Sequence, residues 1–191
     1  MTSGQDRTRG GGGRPLRARA VGGAVLAVLT LAGCGTAGYG APVAPYPMTV
    51  KSEAFISGTL GTPYTCHGGK INPPLNWSGA PLGTKSLALI VDDSSAPITP
   101  FIYWLVFDIP AGATDIQAAS LPTNARQAMN SAGTATYDPP CPNGHRHSYR
   151  FTVYALRTTL TLPNGAPLQS VWTAIAAATI GRGRIVVSGG P

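Results

Sequence analysis

Side chains able to do chemistry concentrate in two short stretches of this chain. One is Asp92-Asp93-Ser94-Ser95-Ala96-Pro97, and the other is Cys141-Pro142-Asn143-Gly144-His145-Arg146-His147-Ser148-Tyr149. Together they hold the residue types of an acyl-transfer triad, with Ser94 or Ser95 as nucleophile, His147 as base and Asp93 as the group that orients it. No Gly-x-Ser-x-Gly elbow and no recognisable oxyanion loop accompany them, so a weak hydrolase is the remotest reading. Asp92 and Asp93 are adjacent, and adjacent side chains on an extended backbone diverge, which argues against a paired acid–base unit. Asp92 is expected as a solvated or turn carboxylate. His145 and His147, two apart, would suit a metal on an extended strand. No third ligand is placed beside them and structural sites normally take four, so neither a metal nor a cofactor is expected.

Apolar segments must position these groups. Ser86–Val91 is a near-continuous apolar run and predicts a strand buried on both faces, ending at Asp92-Asp93. Phe101–Ile109 predicts a second central strand stopped by Pro110, and the alternating Tyr149–Leu156 a third. If those strands are neighbours, the two polar stretches converge on one rim and form a polar pocket over an apolar floor. Upstream, Phe55–Thr62 is rich in turn residues, Tyr64–Cys66 is a short β-prone piece, and Asn72–Trp77 is an extended, proline-stiffened segment. Gly112–Pro140 has weak periodicity and predicts a long irregular excursion. Leu168–Ile180, with Leu168, Val171, Trp172 and Ile175 at helical spacing and Gly181 as its stop, predicts the one convincing helix. Arg184–Ser188 predicts a closing strand. Trp77, Trp104 and Trp172 are expected in the core.

Composition narrows the class. Of 191 residues 43% are hydrophobic and 11% charged, and 25 glycines and 18 prolines favour strands and turns over a helical bundle. The net charge of +7 is unevenly placed: residues 1–33 carry five arginines against Asp6 alone. No basic stripe with interleaved aromatics remains beyond them, so no nucleic-acid partner is expected. Arginines up to Arg19, an apolar stretch Ala20–Leu31 and then small residues make a secretory signal, too short to span a bilayer. Leu31-Ala32-Gly33-Cys34 resembles the bacterial lipobox, in which the cysteine thiol is alkylated by diacylglycerol and becomes the mature N-terminus; the plainer alternative is an ordinary signal with a chance cysteine. The chain therefore divides into a lipoprotein signal peptide over 1–33, a lipidated N-terminus and Gly/Ala/Pro tether over 34–47, and a domain over 48–191. The expected location is the extracytoplasmic face of the cell membrane, anchored by lipid without crossing. With Cys34 lipidated, Cys66 and Cys141 remain, an even number in an oxidising compartment, either bridged or left as two buried thiols.

Several motifs then resemble one family. Tyr64-Thr65-Cys66 with Pro73-Pro74-Leu75 and Trp77, Lys85 through Asp93 to Ala96-Pro97, the Trp104–Pro110 strand, and Tyr137 through Cys141-Pro142 to His147, Tyr149 and Leu156 are similar to the phosphatidylethanolamine-binding protein family, the Raf-kinase-inhibitor-like family in its bacterial branch. The resemblance runs from about Phe55 to Ser188. It implies a mainly β fold, with a central antiparallel sheet, a second smaller sheet and a C-terminal helix. It also implies a small pocket for phosphate or phosphoryl head groups. Residue by residue it assigns Asp93, Pro97, His147 and Tyr149 to that pocket, with Tyr103 where the family usually has a histidine. Such a pocket is chemically coherent: an imidazole N–H and a phenol donate to anion oxygens, and a carboxylate orients the imidazole. Ser94 and Ser95 depart from the family's proline and second aspartate, and Ser148 from its arginine. Losing those groups weakens anion binding roughly ten- to hundredfold unless Tyr103 or Arg146 compensates. The reading is a non-enzymatic, lipid-anchored binding module with a neutral-donor anion pocket. The alternative is a protein-interaction module, a protease-inhibitor-like or envelope-scaffold protein whose pocket has degenerated.

Overall fold

A computed structural model describes residues 45–96 and 98–190. Its centre is the apolar run seen in the sequence. Strand β4 (Ser86–Asp93) is buried along its whole length, because it lies inside a six-stranded sheet of order β1-β9-β8-β4-β5-β7 with a core on each face. Leu87, Leu89 and Val91 point to one core, and Ala88 and Ile90 to the other. That double burial is why the segment reads as continuously apolar rather than alternating.

The neighbours of β4 are β5 (Phe101–Pro110) and β8 (His147–Leu156), both antiparallel to it. Beyond β8 come β9 (Thr179–Gly189) and then β1 (Tyr46–Pro47), which pairs with β9 in parallel; β7 (Arg126–Gln127) closes the other edge. A second, antiparallel sheet of order β2-β3-β6 uses β2 (Thr49–Lys51), β3 (Leu75–Ser78) and β6 (Asp115–Ile116). Its Val50, Leu75, Trp77 and Ile116 pack with the odd-numbered face of β4. Helix α1 (Leu168–Ala178) covers the opposite face through Val171, Ile175 and Ala178. The fold is thus mainly β, with a large sheet, a small sheet and a C-terminal helix as the resemblance implied, except that the parallel β1–β9 pair makes the large sheet mixed rather than wholly antiparallel.

Differences in detail have local causes. Trp172 is 37% exposed rather than in the core, because the helix turns its Val171–Ile175–Ala178 stripe inward. Tyr64–Cys66, expected as a β-prone piece, is not a strand: Tyr64 ends the 3₁₀ turn Thr62–Tyr64, in whose first turn Pro63 fixes φ, and Thr65 and Cys66 continue as bend and turn. Strand β9 starts at Thr179, five residues earlier than the pattern suggested. Gly181 and Gly183 occupy its first inward positions against Pro81, Ala155 and Met48, and a glycine carries no hydrophobic signal. Tyr46 and Pro47, in the span read as tether, pair with Gly181 and Arg182. Trp77 and Trp104 are buried as expected. Cys66 and Cys141 are joined in a disulfide with Cα atoms 5.1 Å apart. Among the described residues no helix is long and apolar enough to cross a membrane; Cys34 and the signal region lie outside them.

Candidate functional site

Antiparallel pairing brings the C-terminal end of β4 against the N-terminal ends of β5 and β8. In register, Asp93 faces Phe101 on one side and Tyr149 on the other, while His147 sits opposite Gly189. The two polar stretches therefore do meet on one rim of the sheet. Alternation sends Asp93, Tyr149 and Phe151 toward the small-sheet side, and Asp92 and Arg150 toward the helix side.

Asp93 is buried and both of its oxygens are engaged. Oδ1 accepts the Ser95 N–H at 2.8 Å, and Oδ2 lies 2.6 Å from His147 Nδ1. The imidazole is half-buried and its ring lies parallel to that of Tyr149, with centroids 5.7 Å apart. With Nδ1–H held by the carboxylate, Nε2 is the nitrogen left to meet a ligand, accepting when neutral and donating when protonated. Tyr103 stands edge-on to Tyr149, again with centroids 5.7 Å apart. The structure thus assembles Asp93, Tyr103, His147 and Tyr149; Pro97 lies outside the described residues.

Tyr149 is fully buried, and its Oη finds no hydrogen-bond partner among the described residues. Leaving such a hydroxyl unpaired costs about 1–3 kcal/mol. Burial first, then the neighbouring Tyr103 and Asp93, pushes its phenol pKa well above the ordinary value. Tyr103 is pushed up to about 12, again by burial first and by Asp93 and Asp138 next. Tyr137, with Tyr149 and Tyr103 close by, is held protonated by burial more strongly still; its Oη donates to the Tyr64 carbonyl at 2.8 Å. Three phenols therefore stay neutral beside one carboxylate–imidazole pair. Burial, and after it the neighbouring phenols and carboxylates, favours the protonated form of all three, which leaves the Tyr103 and Tyr149 hydroxyls able to donate.

A depression of about 490 Å³ opens beside the cluster, and Tyr103 is on its wall with Lys70, Phe101, Asp138, Pro139 and the Cys66–Cys141 disulfide. Lys70 and Asp138 were missed in the sequence. Lys70 follows His67-Gly68-Gly69, far from either polar stretch, and reaches the wall only because the disulfide and the Cys66 N–H to Pro140 O bond join the two loops. Lys70 supplies a cation there, whereas Arg146, the residue suggested for that task, lies exposed in the 142–146 loop. Asp92 also needs correction. It is buried, not solvated, and it pairs with Arg150 on the helix-side face, with Nε 3.1 Å from Oδ1. The Ser94 hydroxyl donates to the Ser148 carbonyl and the Ser95 hydroxyl accepts the Ser148 N–H, both within 2.9 Å. These two serines hold the loop after β4 to the start of β8.

Known proteins resemble the chain along the same span. Residues 50–188 match the model of a family described as phosphatidylethanolamine-binding protein. A UPF0098 protein of Methanothermobacter thermautotrophicus is 39% identical over 145 residues, covering 73% of this chain and 96% of its own. A Mycobacterium tuberculosis protein named as the lipoprotein LppC is 36% identical over 143 residues, covering 73% of this chain and 71% of its own. Among solved structures, the phosphatidylethanolamine-binding protein homologue CT736 of Chlamydia trachomatis superposes with a TM-score of 0.69 at 30% identity, covering 76% of this chain and 98% of its own. Escherichia coli YbcL, described as a member of the mammalian family, does so with a TM-score of 0.68 at 30% identity, covering 75% and 98%.

Proposed function

Because the chain belongs to the phosphatidylethanolamine-binding protein family, we propose that it is an exported, lipid-anchored binding module whose site takes a small anion, phosphate or a phosphoryl head group. The observation that carries this reading is the buried, unpartnered Tyr149 hydroxyl beside an imidazole already oriented by Asp93. A buried hydroxyl left without an acceptor is satisfied by an oxygen ligand, and His147 Nε2 beside it can accept from a hydroxyl of that ligand or, when protonated, donate to it. Tyr103 and Lys70 extend the donor set toward the depression, in place of the cations that Tyr103 and Ser148 replace.

The function is binding rather than catalysis. In support, the hydroxyls of Ser94 and Ser95 are turned to the Ser148 backbone, not offered to His147 as nucleophiles. Lipid attachment at Cys34, with the domain on the extracytoplasmic face, is supported by the Leu31-Ala32-Gly33-Cys34 motif and by the likeness to a protein named as a lipoprotein. Replacing Cys34 with alanine and fractionating cells tests that part: the variant should leave the membrane fraction, and unchanged retention sinks the anchor.

For the pocket, inorganic phosphate is titrated into 15N-labelled protein. Saturable shifts at His147, Asp93 and Tyr149 are expected, and flat spectra at millimolar phosphate overturn the reading. A second reading, a protein-interaction module, is favoured by Ile98, 93% exposed, and Phe101, 36% exposed, which flank the same rim. A phosphate-insensitive protein that still captures a partner through Ile98 and Phe101 would support that reading.

A further inference from the structure

A second group of side chains lies outside the Asp93–His147–Tyr149 cluster. Cys66, His67 and Cys141 bring three donor atoms within 4.8 Å of one another. His67 Nε2 is 4.0 Å from Cys141 Sγ. His67 and Cys141 are exposed and Cys66 is half-buried, so solvent reaches the cluster.

The disulfide is not the sole tie between the two loops that carry these residues. The Cys66 N–H donates to the Pro140 carbonyl at 3.0 Å, and Tyr137 Oη donates to the Tyr64 carbonyl at 2.8 Å. The Thr65 hydroxyl closes its own turn onto the Thr62 carbonyl at 2.9 Å, fixing the backbone just before Cys66. Breaking the S–S bond leaves these links in place, and with them two thiols whose Cα atoms start 5.1 Å apart. Two sulfurs and one imidazole form a soft, three-membered donor set. Structural zinc prefers four ligands in a tetrahedron, whereas thiolates select copper(I), which accepts three.

We infer that the reduced Cys66–Cys141 pair, with His67, forms a three-coordinate site for copper(I). An external dithiol delivers two electrons and two protons: the S–S bond breaks, two thiols form and the dithiol leaves as its own disulfide. Copper(I) then displaces the thiol protons to solvent as the two Cu–S bonds form. The two cysteines also wall the depression that holds Tyr103, and because one copper(I) replaces two protons, the loaded site carries one more negative charge than the free dithiol at that edge.

The test uses the full chain carrying Cys34→Ser, so that the thiols read are Cys66 and Cys141. Oxidised protein, and protein reduced with dithiothreitol and desalted without oxygen, are titrated with copper(I) against a chromogenic copper(I) chelator. The reduced chain should take one copper per chain with a thiolate-to-copper absorption band, and the oxidised chain none. His67→Ala should bind at least tenfold more weakly, and Cys141→Ser should lose the band. The inference is overturned by equal uptake in both redox states, by no uptake in the reduced chain, or by one copper shared between two chains. An unaffected His67→Ala overturns it as well. So does loss of the native near-ultraviolet circular dichroism on reduction, which would show that the remaining hydrogen bonds do not keep the thiols together.

Discussion

Tyr149 carries an energetic cost that its neighbours do not relieve. Its hydroxyl is buried without an acceptor among the described residues, so Tyr149→Phe should raise the unfolding free energy by about 1 kcal/mol while weakening phosphate binding about tenfold. Denaturant melts with and without phosphate check both halves, and a variant that is destabilised and binds normally would remove Tyr149 from the site. Asp92 predicts the opposite pattern. Its buried carboxylate meets Arg150 on the helix-side face, so Asp92→Ala should cost about 2 kcal/mol by stranding the guanidinium. The same melts read that loss, and phosphate affinity should not change. The meeting of Asp93 and His147 was legible in sequence because carboxylate and imidazole stand at the ends of two apolar runs. The burial of Asp92 was not, since whether a strand-terminal carboxylate is covered depends on what packs above it.

Elements set how closely those residues approach. The Tyr149 ring lies over Gly189 of β9, where a Cβ would collide with its edge. Gly189→Ala should therefore displace the ring, lower stability by about 1–3 kcal/mol and broaden the Tyr149 and His147 resonances. A variant with native shifts would show that the ring has room. The Cys66–Cys141 link closes a separation of 75 residues, and its removal by Cys66→Ser with Cys141→Ser should cost at most about 4.5 kcal/mol on a chain-entropy estimate. Thermal melts of the double variant measure that cost, and a loss near zero would mean that residual structure already restricts the unfolded chain. Strands β4, β5 and β8 could be read from their apolar runs. Strand β9 could be read only in part, because glycines fill its first inward positions, and the 3₁₀ turn at Thr62–Tyr64 is decided by Pro63 against the β propensity of its neighbours.

For the molecule as a whole, the buried phenols predict how it fails at high pH. Tyr103 is raised to about 12, and Tyr137 and Tyr149 are raised further, all chiefly by burial. In the unfolded chain these groups ionise near pH 10. The folded state therefore holds protons that the unfolded state releases, and its stability, complete below about pH 10, falls as pH rises toward 12. Denaturant midpoints should drop between about pH 10 and pH 12, with tyrosinate absorbance from these three residues appearing only as the chain unfolds. Early ionisation without unfolding would contradict the buried, neutral-donor site. By itself the sequence determined the mainly β class and the buried central strands, because hydrophobic periodicity is a property of neighbouring residues, and its motifs carried the family resemblance, which in turn implied a pocket holding Asp93, Tyr103, His147 and Tyr149. Tertiary structure alone decided that Lys70 and Asp138 share a wall with Tyr103, that Asp92 is covered, that Tyr149 is left without a partner, and that His67 faces a cysteine 74 residues away. Each of those depends on segments far apart in the chain meeting at one point, and the local pattern of residues carries no measure of that distance.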